Sequence, residues 1–434
     1  MTLRWTQLFG LIGSALMALV ALPAASGCDS SPLGRDLRAE TPSEKADALL
    51  SGLIHTNDPG LAVLVAQDGK TLFEKGYGLA DVEHHVPVIP QTTFRIGSIT
   101  KQFTASAILK LQEEGKLSVN DKLSKYIPDF PRGDEVTLRQ LLTHTSGIRD
   151  YFYEQRDLDS QLTNAITTET IINEMKKYPY DFDPGTKWHY SNSGYLLLGY
   201  IVEKVSGQSY GDFLRENFFQ PLGMTNTGVY RAHLGLPHEA LGYSLRPSAL
   251  TWIIWGSGVG LGKNHFKPAL NWDMSWAFGC GALYSTVEDL YRWNEGVFNG
   301  RVLDAASLKA AFTPVKMMPF WERAAWAILS NDTDMGYGFG CVVCRRHGLR
   351  EIWHNGGLDG FRSCLLRVPD EKFTVVVLAN VAPDRWKADP DRLARKLADI
   401  YLGGQGFGRS ALPDALDVVP NRKQVSSSRS MGRN

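Results

Sequence analysis

The sequence predicts an α/β (α+β) fold: an antiparallel β-sheet formed from N- and C-terminal segments, flanked by helices, with an inserted and mostly α-helical lobe. Strand-like apolar runs occur near both ends of the chain, whereas residues 120–280 show mostly helical patterns. The strand-like runs near the C-terminus are joined by short turns, which favours antiparallel neighbours. One sheet built from both ends, with the helical block inserted between its halves, is the most economical arrangement.

Composition indicates a folded globular protein and excludes one class of partner. The chain has 434 residues, of which 43% are hydrophobic, enough for a large buried core. Lys and Arg together number 46, as do Asp and Glu, so the formal net charge is zero. Because no basic block stands out, a nucleic-acid partner is not expected.

The first 28 residues have the pattern of a secretory signal. Arg4 precedes an uncharged apolar run from Leu8 to Leu22, and small residues follow it. This run is shorter than the about 20 residues that a membrane-spanning helix needs. Residues 25–28 (Ala-Ser-Gly-Cys) resemble a bacterial lipobox, in which Cys28 becomes a lipidated mature N-terminus; plain cleavage after Ser26 is the alternative. We therefore predict export to the periplasm or cell envelope, with membrane attachment if Cys28 is lipidated.

The folded domain is predicted over residues 45–402, after a flexible tether at 29–44 that is rich in Ser, Pro, Gly and Asp. TPSEKADALLSGLI has a helical pattern, and the two apolar runs after it flank Gln67-Asp-Gly-Lys70, a hairpin signal. From Ser98 the pattern becomes helical. KQFTASAILKLQEEG is apolar nearly all round, so this helix is expected inside the protein, ending at Gly115.

Beyond residue 120, helical patterns come first and strand patterns last. TLRQLLTHTSG and SNSGYLLLGYIVEKVSG predict helices that end at glycine, and STVEDLYRWNEGVF predicts a third. Residues 231–280 are irregular and rich in Gly and Trp, which indicates long loops around a site. The predicted strands are YGFGCVVCRR, REIWHNGG, SCLLRV and FTVVVLAN, followed by a helix in RLARKLADIYLGG. Residues 403–434 are polar and are predicted to be disordered.

Four cysteines remain besides Cys28: Cys280, Cys341, Cys344 and Cys364. The Cys-x-x-Cys spacing at 341–344 is compatible with zinc or redox chemistry. However, it lies in a strand-like run, where side chains three residues apart point to opposite faces. Structural cysteines or a disulfide are favoured over a metal site, and no metal or cofactor is predicted.

Ser98-Ile-Thr-Lys101 places a hydroxyl and an amine three residues apart. About one or two Ser-x-x-Lys pairs are expected by chance in such a chain, which holds one, so the count proves nothing. The position is more informative, because a serine at the first turn of a helix lies among backbone N–H groups that stabilise an oxyanion. Lys101 shares its helix face, and apolar surroundings lower a lysine pKa and favour a base. The alternative is a serine N-cap followed by a surface lysine.

Tyr190-Ser-Asn192, in PGTKWHYSNSGY, is the one Tyr-x-Asn in the sequence and precedes an apolar helix. A phenol near cations can lose its proton and act as a general base, while the Asn192 amide orients a substrate carbonyl. The alternative is a buried tyrosine with an asparagine N-cap.

His354-Asn355-Gly356-Gly357 follows the strand-like EIW. Paired glycines on an edge strand let a substrate backbone approach and add as a strand, with the N–H of Gly357 as an oxyanion donor. His354 could bind an anionic group or relay a proton near neutral pH. A hairpin glycine pair with an incidental histidine is the alternative.

The three motifs together resemble the serine β-lactamase-related hydrolases, a superfamily of class C β-lactamases, D-alanyl-D-alanine peptidases, D-aminopeptidases and related esterases. FRIGSITK, YSN and HNGG occur in the order and approximate spacing of that family. Connecting segments such as LLTHTSGI, FFQPLGMTNTG and GALYSTVEDLYRWNEG are also similar to it. The resemblance spans about residues 45–402 and implies the β-lactamase/transpeptidase-like fold.

The resemblance implies a role for each motif residue. Ser98 is implied to be the acylated nucleophile, Lys101 its activating amine and Tyr190 the general base or proton shuttle, with Asn192 holding the substrate. The third motif is Lys-Thr-Gly in true β-lactamases and His354-Asn355-Gly356 here. Backbone N–H groups of Ser98 and Gly357 are implied to form the oxyanion hole.

The leading hypothesis is an exported serine hydrolase that forms an acyl-enzyme on the ester, amide or β-lactam carbonyl of a small-molecule or peptide substrate. A neutral imidazole at 354 gives only a hydrogen bond where lysine gives a fixed charge, so efficient β-lactamase activity is less favoured. The alternatives are a D-alanyl-D-alanine peptidase or D-aminopeptidase, a non-catalytic penicillin-recognising protein, and a redox or zinc protein centred on Cys341 and Cys344.

Overall fold

An eight-stranded sheet, antiparallel throughout, forms the centre of the protein. The structure is a computed structural model, and it describes residues 40–154, 161–231, 234–246, 265–317, 332–382 and 388–403. The strands of the described chain, in order, are β1 (Leu61–Gln67), β2 (Lys70–Tyr77), β3 (Leu79–Asp81), β4 (Val86–Pro87), β5 (Phe94–Arg95), β6 (Gly228–Val229), β7 (Tyr243–Arg246), β8 (His265–Pro268), β9 (Leu283–Ser285), β10 (Val315–Lys316), β11 (Asp332–Tyr337), β12 (Val342–Arg346), β13 (Leu349–Leu358), β14 (Phe361–Val368), β15 (Phe373–Ala379) and β16 (Val381–Ala382).

The large sheet has the order β10-β11-β12-β13-β14-β15-β1-β2. Its N-terminal hairpin and its C-terminal strands meet where β1 pairs with β15, from Leu61 opposite Ala379 to Gln67 opposite Phe373. The predicted sheet built from both ends of the chain is therefore confirmed. The turn between β1 and β2 has positive φ at both Asp68 (50°) and Gly69 (78°), the conformation that an Asp-Gly hairpin turn favours.

Helices cover both faces of this sheet, with α1 (Pro42–Leu53) and α12 (Pro390–Leu402) on one face and α10 (Val287–Phe298) on the other. The other described helices are α2 (Thr100–Glu113), α3 (Leu138–Leu142), α4 (Tyr151–Glu154), α5 (Thr168–Met175), α6 (Asn192–Ser206), α7 (Tyr210–Leu214), α8 (Gln220–Leu222), α9 (Phe278–Gly281) and α11 (Ala305–Ala311). Short 3-10 turns lie at Gly97–Ile99, Leu123–Lys125, Met274–Trp276 and Pro369–Glu371, and a π-helical turn spans Arg215–Phe219.

Alternation along the strands divides the core in two. On one face, Val63 and Val375 pack with α1 and α12 through Leu50 and Leu397. On the other face, neighbouring strand residues such as Leu64 join the larger core that contains α2, α6 and α10. Side chains along a strand point alternately to opposite faces, so two helical layers can share one apolar strand.

The helix α1 begins at Pro42, inside the segment predicted as a tether. Thr41 caps it: its side chain accepts from the Glu44 N–H, and the Glu44 carboxylate accepts from the Thr41 N–H. Such a capping box satisfies two backbone donors that a helix start otherwise leaves open.

The block between the two halves of the sheet is mainly helical, as predicted. Its longest helix, α6, is buried along most of its length and ends at Gly207, where φ is 74°. The predicted irregular region also contains the strands β7 and β8, which pair antiparallel, and β16 pairs parallel with β7. These strands have two to four residues each, too few for alternation to show in the sequence.

Cys280, Cys341, Cys344 and Cys364 are all buried, and none of them is bonded to another in a disulfide. Cys341 and Cys344 therefore have the structural role that was one of the two favoured interpretations, and they do not form the disulfide that was the other. Within the described ranges no group of three or more His, Cys, Asp or Glu side chains is arranged to hold a metal ion.

Several predictions concern residues outside the described ranges: the signal at 1–28 with Cys28, most of the tether at 29–44, and residues 404–434 of the tail. Among the residues that are described, no helix is long and apolar enough to cross a membrane.

Candidate active site

The Ser98 hydroxyl lies at the junction between β5 and α2. The 3-10 turn Gly97–Ile99 carries it, and α2 follows directly at Thr100. Neither the turn nor α2 begins with a side-chain cap, so Ser98 does not serve as the N-cap that the alternative interpretation required. The hydroxyl is left to accept hydrogen bonds from two other side chains.

Lys101 and Tyr190 both donate to the Ser98 hydroxyl. The distance from Lys101 Nζ to Ser98 Oγ is 3.0 Å, and that from Tyr190 Oη to the same atom is 2.8 Å. Residue 101 is fully buried, and its amine also donates to Asn192 Oδ1 (2.9 Å) and to the Cys280 carbonyl (2.8 Å). The first two motifs predicted from the sequence thus meet at one oxygen atom.

Burial determines the protonation states of these groups. Desolvation lowers the pKa of Lys101 from its ordinary value to about 8, against opposing effects of Cys280 and Asp150. A protonated amine satisfies all three acceptors, whereas a neutral amine can turn a lone pair toward the Ser98 hydroxyl. Desolvation raises the pKa of Tyr190, so its phenol keeps its proton and acts as a donor in the resting protein.

The ring of His354 is neutral and has no free nitrogen. Nδ1 lies 2.5 Å from the Asn355 carbonyl, which can only accept, so Nδ1 carries the proton. Nε2 therefore accepts from the Tyr337 hydroxyl at 2.8 Å. Desolvation, followed by the charge of Lys101, lowers the pKa of His354 to about 3. In this arrangement the neutral imidazole brings no positive charge to the site, and both of its nitrogens already have partners.

The two residues after His354 differ in where they point. The side chain of Asn355 does not face Ser98: its Nδ2 donates to Asp391 Oδ2 on α12 at 2.7 Å. Gly356 faces the opposite side of β13, where an added Cβ would lie 2.0 Å from the Ile96 carbonyl oxygen and 2.3 Å from Ser363 Oγ. Glycine at 356 is thus what lets the strand lie against the segment that carries the nucleophile.

The N–H of Gly357 points toward the Gly97–Ser98 turn. Leu358 faces Phe361 across a two-residue hairpin turn, and such closing pairs exchange hydrogen bonds. Bonded and non-bonded pairs alternate, so the next pair, which contains Gly357, leaves its N–H pointing away from β14. An added Cβ on Gly97 would lie 2.9 Å from this nitrogen, which shows how closely the two backbones approach. The N–H of Gly357 thus points away from β14 at a position close to Gly97, and its role as an oxyanion donor stays a prediction.

Four site residues were not identified from the sequence: His144, Asp150, Cys280 and Tyr337. His144 Nδ1 accepts from the Ser191 N–H at 3.2 Å, and its ring lies 4.4 Å from that of Tyr190. Cys280 contributes only its carbonyl to Lys101, and Asp150 binds Asn192. His144 and Asp150 both lie in the segment THTSGIRDY at 143–151, but no spacing rule connects that segment with Tyr190.

Substitution of Gly356 by Ala is expected to destabilise the fold and the site together. The added methyl group overlaps backbone oxygen that cannot move without shifting Ser98, so we expect a loss of about 2–4 kcal/mol in the free energy of unfolding. Gly52→Ala in α1 is the matched control, because nothing lies within 4 Å of its added Cβ. It should stabilise by about 0.5 kcal/mol through helix propensity. Urea unfolding of both variants measures the difference; equal stability would contradict the packing described.

The buried amine also predicts a pH dependence. Because the pKa of Lys101 is lowered to about 8, the neutral base accumulates as the pH rises through that value. For an uncharged ester, kcat/KM should therefore rise about tenfold per pH unit below 8 and level off above it. The unfolded protein binds the proton more tightly, so the contribution of Lys101 to stability also increases with pH from about 8 to its ordinary pKa. A profile without a midpoint near 8 would show that another group is the base.

The chain is similar to known proteins over most of its length. The family model described as Beta-lactamase matches residues 46–400. Penicillin-binding protein 4* of Bacillus subtilis is 31% identical over 353 residues, which are 80% of this chain and 72% of that protein. Protein flp of Staphylococcus aureus is 30% identical over 334 residues, and the alignment covers 74% of this chain but only 60% of flp.

Solved structures show the same fold. The octameric penicillin-binding protein homologue from Pyrococcus abyssi has a TM-score of 0.67 and 28% identity, covering 83% of this chain and 77% of its own. A D-amino acid amidase from Ochrobactrum anthropi has a TM-score of 0.68 at 24% identity, covering 82% of this chain and 97% of its own. The β-lactamase-like fold expected from the motifs is confirmed, and the chain belongs to the beta-lactamase family.

Proposed function

We propose that this protein is an exported serine hydrolase that forms an acyl-enzyme on Ser98 and then transfers the acyl group to water. The observation that carries the proposal is the convergence of Lys101 and Tyr190 on one serine oxygen, at 3.0 and 2.8 Å. Activation of a nucleophile requires proton-transfer groups within hydrogen-bond distance of its hydroxyl, and Lys101 and Tyr190 are both at that distance from a hydroxyl that caps no helix.

The residues divide the reaction as follows. The neutral amine of Lys101 takes the Ser98 proton as Oγ attacks the substrate carbonyl, and the N–H groups of Ser98 and Gly357 receive the developing oxyanion. The leaving group takes a proton from the phenol of Tyr190, which recovers one from Lys101. Water then attacks the acyl ester on Ser98, and its proton passes through Tyr190 and Lys101 back to Ser98 Oγ as the acid product leaves. Of the two roles expected for Tyr190, the shuttle agrees better with its raised pKa.

The charge of the site supports one substrate class over others. His354 is held neutral and both its nitrogens are engaged, so the third motif offers no fixed cation for a substrate carboxylate. We therefore favour esters and amides without a carboxylate beside the reacting bond over β-lactams. Peptides with a free C-terminal carboxylate are disfavoured for the same reason.

A second candidate function is covalent penicillin recognition without rapid hydrolysis. The 31% identity to penicillin-binding protein 4* favours it. The two candidates share acylation of Ser98 and differ only in the lifetime of the acyl-enzyme.

Intact-mass analysis distinguishes the candidates. The protein is exposed separately to p-nitrophenyl acetate, benzylpenicillin and D-phenylalanine amide, and the mass of the chain is followed over time. A hydrolase shows turnover of the ester with a short-lived adduct, whereas a penicillin-recognising protein keeps a long-lived penicilloyl adduct. If the wild-type chain neither turns over the ester nor gains an adduct from any reagent, or if Ser98→Ala is labelled equally, acylation of Ser98 is excluded.

Export is part of the proposal and is supported by the signal-like pattern of residues 1–28. Cys28 is the proposed point of lipid attachment, which would hold the enzyme at the membrane surface of the cell envelope.

A further inference from the structure

Asp150 is a carboxylate next to Asn192, and its described hydrogen bonds are all made to Phe152 and Asn192. It precedes α4 and is buried, with 1% of its surface exposed. Its Oδ1 accepts from the Phe152 N–H at 3.0 Å, and its Oδ2 accepts from both the backbone N–H and the side-chain Nδ2 of Asn192, each at 2.9 Å. Burial raises the pKa of Asp150, and the N–H donors of Asn192 and Phe152, together with the charge of Lys101, act against this increase and favour the ionised carboxylate.

These contacts fix the orientation of the Asn192 side chain. With Nδ2 held by Asp150, the other end of the amide, Oδ1, faces Lys101 Nζ at 2.9 Å. The flipped amide would place Oδ1 against the Asp150 carboxylate and Nδ2 against the Lys101 amine. The first contact would set two hydrogen-bond acceptors against each other, and the second would set two donors against each other. Both contacts therefore disfavour the flipped amide.

We propose that Asp150 is a positioning residue: it orients Asn192 so that the amide oxygen holds Lys101 against Ser98, and its negative charge acts on the Lys101 amine. The inference rests on the proposed function, in which Lys101 activates Ser98. Asp150 acts through Asn192 and through space, and not on the substrate.

The electrostatic part of this inference depends on what else surrounds Lys101. The titratable groups that face it are Cys280 of α9, Tyr195 of α6, Tyr190 and Asp150 of the adjoining loops, His144 and His354. Burial lowers the pKa of His144 and His354, and raises those of Tyr190, Tyr195 and Cys280, so all five are neutral near pH 7. Asp150 is thus the one carboxylate among the described groups that opposes the desolvation of the Lys101 amine.

The decisive variant is Asp150→Asn, with Asp289→Asn as the matched control. Asp289 is also a fully buried carboxylate: its Oδ2 accepts from the Asn226 N–H and the Thr227 hydroxyl, and its Oδ1 accepts from Arg292 Nη1 at 2.8 Å. It belongs to α10 and is not among the groups that act on Lys101. Both substitutions remove a buried charge, but only the first removes one beside Lys101.

Two measurements are made on wild type and both variants. The first is the rate of Ser98 acylation by p-nitrophenyl acetate between pH 5 and 10. The second is the titration of the Lys101 amine by NMR of lysine-labelled protein, assigned with Lys101→Met, which does not depend on turnover. Thermal unfolding of each variant shows that it is folded, and Asp150→Ser is a second uncharged variant if Asp150→Asn does not fold.

Without the Asp150 charge, the midpoint of the Lys101 titration should fall by about one pH unit, and the acylation profile should shift with it. The plateau rate should also fall about tenfold or more, because the Asn192 amide is then free to flip. Asp289→Asn should lower the unfolding temperature without moving either midpoint.

A folded Asp150→Asn or Asp150→Ser protein with an unchanged Lys101 midpoint overturns the inference, as does an equal shift in Asp289→Asn. These outcomes are distinct from failure of the proposed function, which would show as a wild-type protein that p-nitrophenyl acetate does not acylate although Lys101 still titrates.

Discussion

The Ser98→Ala variant is expected to lose ester hydrolysis by at least about 10^4-fold in kcat/KM. The hydroxyl oxygen is the atom on which Lys101 and Tyr190 converge, and no other described nucleophile shares that position. Removal of one oxygen from a half-buried side chain leaves the backbone of the turn and of α2 unchanged. We therefore expect an unfolding temperature close to that of the wild type.

Ser106→Ala is the matched control for this variant. Ser106 lies two turns further along α2, is buried, and lines a small apolar cavity rather than the site. Its substitution should leave kcat/KM within about twofold of wild type, as is usual away from reacting groups. Activity in Ser98→Ala above a tenth of the wild-type value would mean that another residue attacks the substrate.

Substitution of Lys101 by Met is expected to cost about 10^3-fold or more in kcat/KM, the range for loss of a general base. Methionine fills a similar volume but cannot take the serine proton, and it leaves Asn192 Oδ1 and the Cys280 carbonyl without their donor. The acidic midpoint near pH 8 should disappear from the residual activity. Circular dichroism checks that the helix remains formed.

Lys110→Met provides the comparison on the same helix. The Lys110 amine is one-third exposed and lies 3.9 Å from a Glu113 carboxylate oxygen, a contact that contributes little at a surface. The variant should keep both the activity and the pH profile. If Lys101→Met retained the midpoint near pH 8, the base would have to be sought in another group.

The features that the sequence predicted are those with local signals. Burial on nearly all sides of α2, alternation in the long strands and the Asp-Gly turn between β1 and β2 are properties of neighbouring residues. The positions of Ser98, Lys101, Tyr190 and Asn192 were predicted because their motifs occur in a known order. Their convergence on one oxygen atom is a property of the folded chain and needed coordinates.

The state of His354 could not be predicted from its motif. Its neutrality depends on burial and on Tyr337, which belongs to β11, two strands away in the sheet order. Asp150 was missed for a similar reason, since its bonds to Asn192 link segments 42 residues apart. Nothing in the spacing of either residue indicates such a contact, because spatial neighbours across a fold carry no periodic signal.

The pairing of β1 with β15 has a consequence for how the chain reaches its native state. β1, the first strand along the chain, lies between β2 and β15, so one of its two edges stays unpaired until residue 379 has been synthesised. A sheet closed by contacts of such long sequence separation forms slowly, since the entropy of closing the loop is lost before the contacts form. Shorter N-terminal fragments therefore have an unpaired β1 edge, and the nucleophile is not positioned until nearly the whole domain has been made.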